Sequence, residues 1–217
     1  MKPRVSNRKT AALTRVEVVV VISMIAILLA VLLPALTYHS TRKPIDCVNN
    51  LKLVGLSFRI WGGDNNDKYP FEVSVTNGGT MESANGRNAW INFFVMSNEL
   101  STPKILICPQ DIKRQPAATN FSSQLAGHIS YFVGLDAKEG DPQSILSGDD
   151  NFEIGGVPVE SSLLNFSSNT PIAWTPVRHG LGGNILLADG SVQSLSNSGL
   201  TNWLHQTGFA TNRLAIP

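Results

Sequence analysis

Residues 18–36 form an uncharged apolar run of 19 residues. As a helix the run extends roughly 28 Å, close to the hydrocarbon thickness of a bilayer. Residues 1–12 ahead of it are free of acid and carry Lys2, Arg4, Arg8 and Lys9. Basic residues clustered before an apolar segment set its orientation, with the basic end in the cytoplasm. A secretory signal peptide is the competing assignment, but the run exceeds the usual apolar region of one and no A-x-A site follows. The expectation is a single-pass inner-membrane protein, N-terminus cytoplasmic, with its C-terminal domain periplasmic. Glu17 stands at the entrance to the run with no evident partner in its own chain. Desolvation disfavours a lone carboxylate, so a cation supplied from elsewhere is expected.

The rest of the chain is long enough for one core and little more. A net charge of +1 carries no signal of a polyanionic partner, and no nucleic acid is expected. Cys47 and Cys108 are the two cysteines, and they do not form a Cys-x-x-Cys pair. In an oxidising compartment an isolated pair favours a bridge, with two buried free thiols as the alternative. A bridge would close a loop of about 60 residues, for roughly 4 kcal/mol.

Beyond the apolar run, Val48, Leu51, Val54, Phe58 and Trp61 recur at helical spacing and predict a helix extension over 37–61, broken near 42–46 by Pro44 and capped by Asp46. Residues 62–67 (Gly-Gly-Asp-Asn-Asn-Asp) end it in a turn. Asp64 and Asp67 could donate oxygens to a Ca2+ ion, but the spacing is not that of an EF-hand loop, and a plain turn is the stronger assignment. Residues 62–217 then read as α+β with an antiparallel sheet. Strands are predicted at 104–108, 129–135 and 170–175, while 90–96 is too short to assign. Residues 136–170 look like a surface excursion. Asp189-Gly190, between 184–188 and 191–195, predicts a type I′ hairpin. A last helix through Leu200, Trp203 and Leu204 is capped by Asn197 or Ser198.

No phosphate-binding loop, zinc-protease helix or nucleophile elbow is present. Of the histidines at 39, 128, 179 and 205, His179 stands apart because nine residues separate it from Asp189-Gly190.

Together these pieces resemble the prepilin-type proteins, the type IV pilins and type II secretion pseudopilins. The match rests on a basic leader ending at Ala12, Glu17 fifth after it, Pro34 twenty-second, and His179-x9-Asp189-Gly190, a motif found near the C-terminus of one large prepilin-type family. Cys47-Val48-Asn49-Asn50-Leu51-Lys52, Asp64-Asn65-Asn66 with Tyr69-Pro70, and Cys108-Pro109 with Asp111 add to it. The resemblance implies a pilin-like fold: a leader 1–12, a transmembrane helix 13–36, its extension 37–61 and a periplasmic domain 62–217. It implies cleavage by a prepilin peptidase between Ala12 and Leu13, N-methylation of Leu13, and assembly with other pilin or pseudopilin subunits into a homo- or hetero-oligomeric filament. Glu17 would pair with a neighbour's N-terminal amine. No enzymatic activity, cofactor or catalytic residue is expected, and His179 would hydrogen-bond to the hairpin. The rival is a signal-anchored periplasmic binding module or hydrolase that does not polymerise and uses His179 with the glycine loop.

Overall fold

Thr14 and Glu17 start the first helix, α1 (Arg15–Leu36). Glu17 Oε2 accepts from the Thr14 N–H at 2.8 Å and from Thr14 Oγ1 at 2.9 Å, while the Glu17 N–H donates to Thr14 Oγ1 at 3.3 Å. This is a capping box, each residue satisfying the other's backbone donor. Glu17 therefore has a partner in its own chain, contrary to expectation, and the Thr-x-x-Glu spacing was its signal. The computed structural model describes residues 14–36, 42–83, 88–167, 169–207 and 212–217. The chain divides into two compact units, 1–42 and 43–217.

The expected transmembrane helix is corrected: among the described residues no helix is long and apolar enough to cross a membrane. Side chains of α1 are described over 15–30. Arg15 and Glu17 occupy its first turn. The pilin-like class with a membrane-spanning helix does not stand, and neither does the single-pass inner-membrane placement with a periplasmic domain. The described apolar side chains of α1 are exposed, from Val16 at 72% through Ile27 at 65% to Leu29 at 53%.

Among its described residues the second unit is α+β, with two antiparallel sheets and helices. Its helix α2 (Arg42–Asp64) includes Pro44 in its first turn, where the missing N–H breaks no internal bond. Asp46 lies beyond that turn and is not its cap. Cys47, Leu51, Val54, Phe58 and Trp61 are buried, so the stripe runs through Cys47 rather than the half-buried Val48. Two short helices follow, α3 (Ala89–Val95) and α4 (Ser97–Leu100). The predicted strand 104–108 is instead a 3-10 turn, Pro103–Leu106. Pro103 opens that turn and Thr102 Oγ1 accepts from the Lys104 N–H, which together favour a turn over a strand.

Among the described residues nine strands make the sheets: β1 (Tyr131–Gly134), β2 (Ile145–Asp149), β3 (Phe152–Ile154), β4 (Val157–Pro158), β5 (Ser162–Phe166), β6 (Ile172–Trp174), β7 (Gly182–Leu187), β8 (Val192–Ser196) and β9 (Asn212–Ile216). The main sheet has the order β5-β9-β1-β2-β7-β8 and the smaller one β4-β3-β6. Every pairing among them is antiparallel. Period-two alternation sends side chains to opposite faces of the main sheet. Tyr131, Val133, Leu146, Leu186 and Ala215 join the core with Leu51, Val54, Phe58 and Phe93. Phe132, Ile145, Ile185, Leu187, Leu214 and Ile216 join a second core with Phe152 and Trp174 of the small sheet and with Leu200 and Leu204. The last two lie on α5 (Asn197–Thr207).

Three local expectations change. Residues 136–170 are no surface excursion, because β2 is buried along its whole length at the centre of the main sheet. Its polar side chains are paired: Ser147 Oγ donates to the Phe132 carbonyl at 2.6 Å, and Asp149 Oδ2 accepts from Asn184 N and Nδ2, both at 2.8 Å. In the 188–190 turn Gly190 alone has positive φ, +84°. The Gly190 N–H bonds to the Leu187 carbonyl and the Leu187 N–H to the Ser191 carbonyl, a type I turn with a glycine bulge rather than type I′. The start of α5 is capped by Ser196, whose Oγ accepts from the Gly199 N–H at 3.2 Å, while Asn197 Oδ1 reaches the Trp174 N–H.

Candidate functional site

Cys47 of α2 and Cys108, just after the Pro103–Leu106 turn, form a disulfide with Cα atoms 5.3 Å apart. Both are fully buried. Against the bridge lies His179, in the connection between β6 and β7. Its backbone is left-handed, φ +54°, and Gly180 follows at +65°. The Gln110 side-chain oxygen accepts from the His179 N–H at 2.9 Å and fixes this turn. His179 Nε2 thereby sits 3.3 Å from Cys108 Sγ and 3.4 Å from Asp149 Oδ2. His179 Nδ1 and Asp149 Oδ1 are buried without a hydrogen-bond partner. His179 also borders an open basin of about 510 Å3 lined by Gln110, the 179–183 loop, Asn184 and Ser194–Ser196.

Beside this group is a buried ionic cage. Arg178 is 5% exposed and is held by Asp150, by Asp111 at 3.5 Å and by Asp149 at 4.0 Å. It also donates to the Ser130 carbonyl at 3.1 Å. Arg114 spans Asp111 at 3.0 Å and Asp150 at 2.7 Å. Burial pushes the Asp111 carboxyl up, but Arg178, the Ser130 hydroxyl and Arg114 outweigh it and hold the group below the ordinary range. Three carboxylates thus face two guanidiniums in a protein interior. The Asp149-Asp150 pair and the Arg178-His179 step bring cage and disulfide together.

His179 and Asp189 are not brought together; they flank opposite ends of β7. The nine residues between them are the glycine loop, β7 and Ala188, so the spacing measures one strand with its entry. His179 meets the disulfide and Asp149, not the hairpin. Asp189 serves its own turn, its Oδ1 accepting from the Ser191 N–H at 2.8 Å. Asp64 and Asp67 follow the expected turn, with the Asn65 and Asp67 N–H groups bonded to the Gly62 carbonyl. Among the described residues the group able to hold a metal is Cys47, Cys108, Asp149 and His179, which includes neither. Ala12 and Leu13 lie outside the described residues, as does His39. Glu17 is exposed at the start of α1, and its carboxyl is held below the ordinary range by the backbone and side-chain bonds from Thr14.

Sequence reasoning missed Arg178, Arg114, Asp111, Asp149 and Asp150 as a unit. The available signal was Asp149-Asp150-Asn151, separated by two residues from the apolar Ile145-Leu146, which a surface loop does not require. No protein-family model matches this chain, and neither a curated protein nor a solved structure matches it.

Proposed function

We propose that this chain is a structural subunit that assembles through α1 into a pseudopilin- or type IV pilin-like filament, after a prepilin peptidase removes residues 1–12. The observation that carries this reading is α1 itself, whose described apolar side chains are exposed on every face. A helix apolar all round needs burial against other surfaces. Several copies of α1 packed side by side supply that burial, and the order of leader, Ala12, Leu13 and Glu17 supports this occupant. Both bonds from Thr14 fall on Glu17 Oε2. Glu17 Oε1 is then the atom that meets the N-terminal amine of a neighbouring copy, N-methylated at Leu13, as a charge-assisted contact. The second unit is the part the filament carries and presents as contact surface.

Ser23→Cys in α1 tests the packing. Oxidation of the full-length variant should yield dimers disulfide-linked through position 23, and adding Ile25→Asp should abolish them. Glu17 is tested by two variants. Glu17→Gln keeps the capping box but loses the charge, whereas Glu17→Ala loses both. Crosslinking lost in both assigns Glu17 to the contact between copies. Crosslinking retained in Glu17→Gln limits the residue to capping. Intact mass after co-expression with the peptidase reads the processing, and a product still carrying residues 1–12 would overturn that part.

A further inference from the structure

We propose that Cys47, Cys108, Asp149 and His179 form a redox-gated zinc site, closed while the disulfide is intact and assembled when it is reduced. The inference stands apart from filament assembly and uses the second unit alone.

The donor atoms of the four residues lie within 4.8 Å of one another. A tetrahedral zinc ion bound at about 2.0–2.3 Å needs neighbouring donors roughly 3.3–3.8 Å apart. His179 Nε2 already has Cys108 Sγ at 3.3 Å and Asp149 Oδ2 at 3.4 Å. The two sulfurs are too close, because they are bonded to each other, and breaking that bond lets them part. Two thiolates, one imidazole and one carboxylate are the ligand types zinc takes. All four side chains come from separate segments held by packing: Cys47 from α2, Cys108 from the loop after the 3-10 turn, Asp149 from β2 and His179 from the connection into β7.

Supports behind the ligands are also present. Asn184 donates twice to Asp149 Oδ2, and Gln110 holds the backbone of His179. Such outer contacts aim ligands at a metal. Charge is balanced too. Zinc with two thiolates and one carboxylate carries −1, and the Arg178 guanidinium lies 4.0 Å from Asp149 Oδ1 to offset it. The basin bordering His179 provides the approach for an ion.

The chemistry balances with a dithiol as reductant. One dithiol gives two electrons and two protons to the Cys47–Cys108 bond, forming two thiols and leaving as its own disulfide. Zinc then binds both sulfurs and displaces the two protons to solvent. Oxidation reverses the sequence and releases the ion.

The test uses the full chain reduced with a water-soluble phosphine, which takes an oxygen from water as the two thiols form. After anaerobic removal of the phosphine, Co2+ is titrated as a spectroscopic stand-in for Zn2+. One equivalent should give the ligand-field and sulfur charge-transfer bands of a tetrahedral site, and Zn2+ should bleach them. The oxidised chain should give none. His179→Ala removes a ligand outright and should weaken zinc binding by more than the roughly 10-fold that loss of a supporting outer contact costs, with tryptophan fluorescence reporting that the variant is folded. X-ray absorption of the zinc-loaded parent needs no variant and should show two sulfur and two nitrogen or oxygen neighbours. Absence of tetrahedral bands in the reduced chain, equal binding by the oxidised chain, or an absorption spectrum without two sulfurs would each overturn the proposal. Unchanged affinity in folded His179→Ala would do the same.

Discussion

Replacing Arg178 by methionine removes the central cation of the buried cage while keeping the aliphatic stem. Asp111, Asp149 and Asp150 are 3%, 0% and 4% exposed, so water cannot take over their solvation. Arg114 would be left to face Asp111 at 3.0 Å and Asp150 at 2.7 Å, and Asp149 would keep only His179 and Asn184. Removing one partner from a buried ionic group costs about 3–5 kcal/mol, because the charges left behind are uncompensated. All four tryptophans, at 61, 90, 174 and 203, lie in the unit 43–217, so their fluorescence reports that unit alone. With a urea slope on the order of 2 kcal/mol/M, the midpoint of Arg178→Met should fall by about 2 M. The pH dependence is specific. Asp111 is depressed in the folded parent, so its contribution is complete above the unfolded value of about 4 and is lost as pH falls through the lower folded value. In the variant Asp111 loses one of the charges that depress it while Ser130 and Arg114 remain, and Asp150, already raised by burial in the parent, loses a guanidinium that opposes that rise, so the parent's advantage should be largest near neutrality and shrink as pH falls. A loss under about 1 kcal/mol, or a difference that does not change with pH, would refute the account of the cage as mutually compensating charges.

Gly55 faces the main sheet, where an added Cβ would stand 2.8 Å from Leu186 Cδ1 in a fully buried position. Gly55→Leu should cost about 1–3 kcal/mol in urea unfolding, and restoration by Leu186→Ala would identify overpacking as the cause; no restoration would exclude it. Gly190 has φ +84° with its nearest side-chain atom 4.0 Å away, so the cost of a substitution there is conformational. Gly190→Val should lose about 1–2 kcal/mol and Gly190→Asn much less, and equal losses by thermal melting would show that the glycine bulge is not the reason.

Sequence alone determined what depends on near neighbours. The apolar stripe of α2 was legible because helical spacing places Leu51, Val54, Phe58 and Trp61 on one face whatever they pack against. A hairpin at Asp189-Gly190 was legible because glycine takes positive φ without strain, although the turn type depended on how β7 and β8 close. The Thr14-Glu17 capping box was equally local and was there to be found. Tertiary structure decided the rest. Residues 145–151 look polar enough for solvent, and they are buried only because Asn184, Arg178 and the Phe132 carbonyl, distant in sequence, satisfy them. His179 and Asp189 read as one motif in sequence, yet an extended strand between them holds them apart, since a strand rises about 3.3 Å per residue. The cluster of Cys47, Cys108, Asp149 and His179 draws on four segments spanning more than a hundred residues. No local pattern encodes that meeting. It follows from sheet order, which places β2 beside β7 and brings His179 to the disulfide.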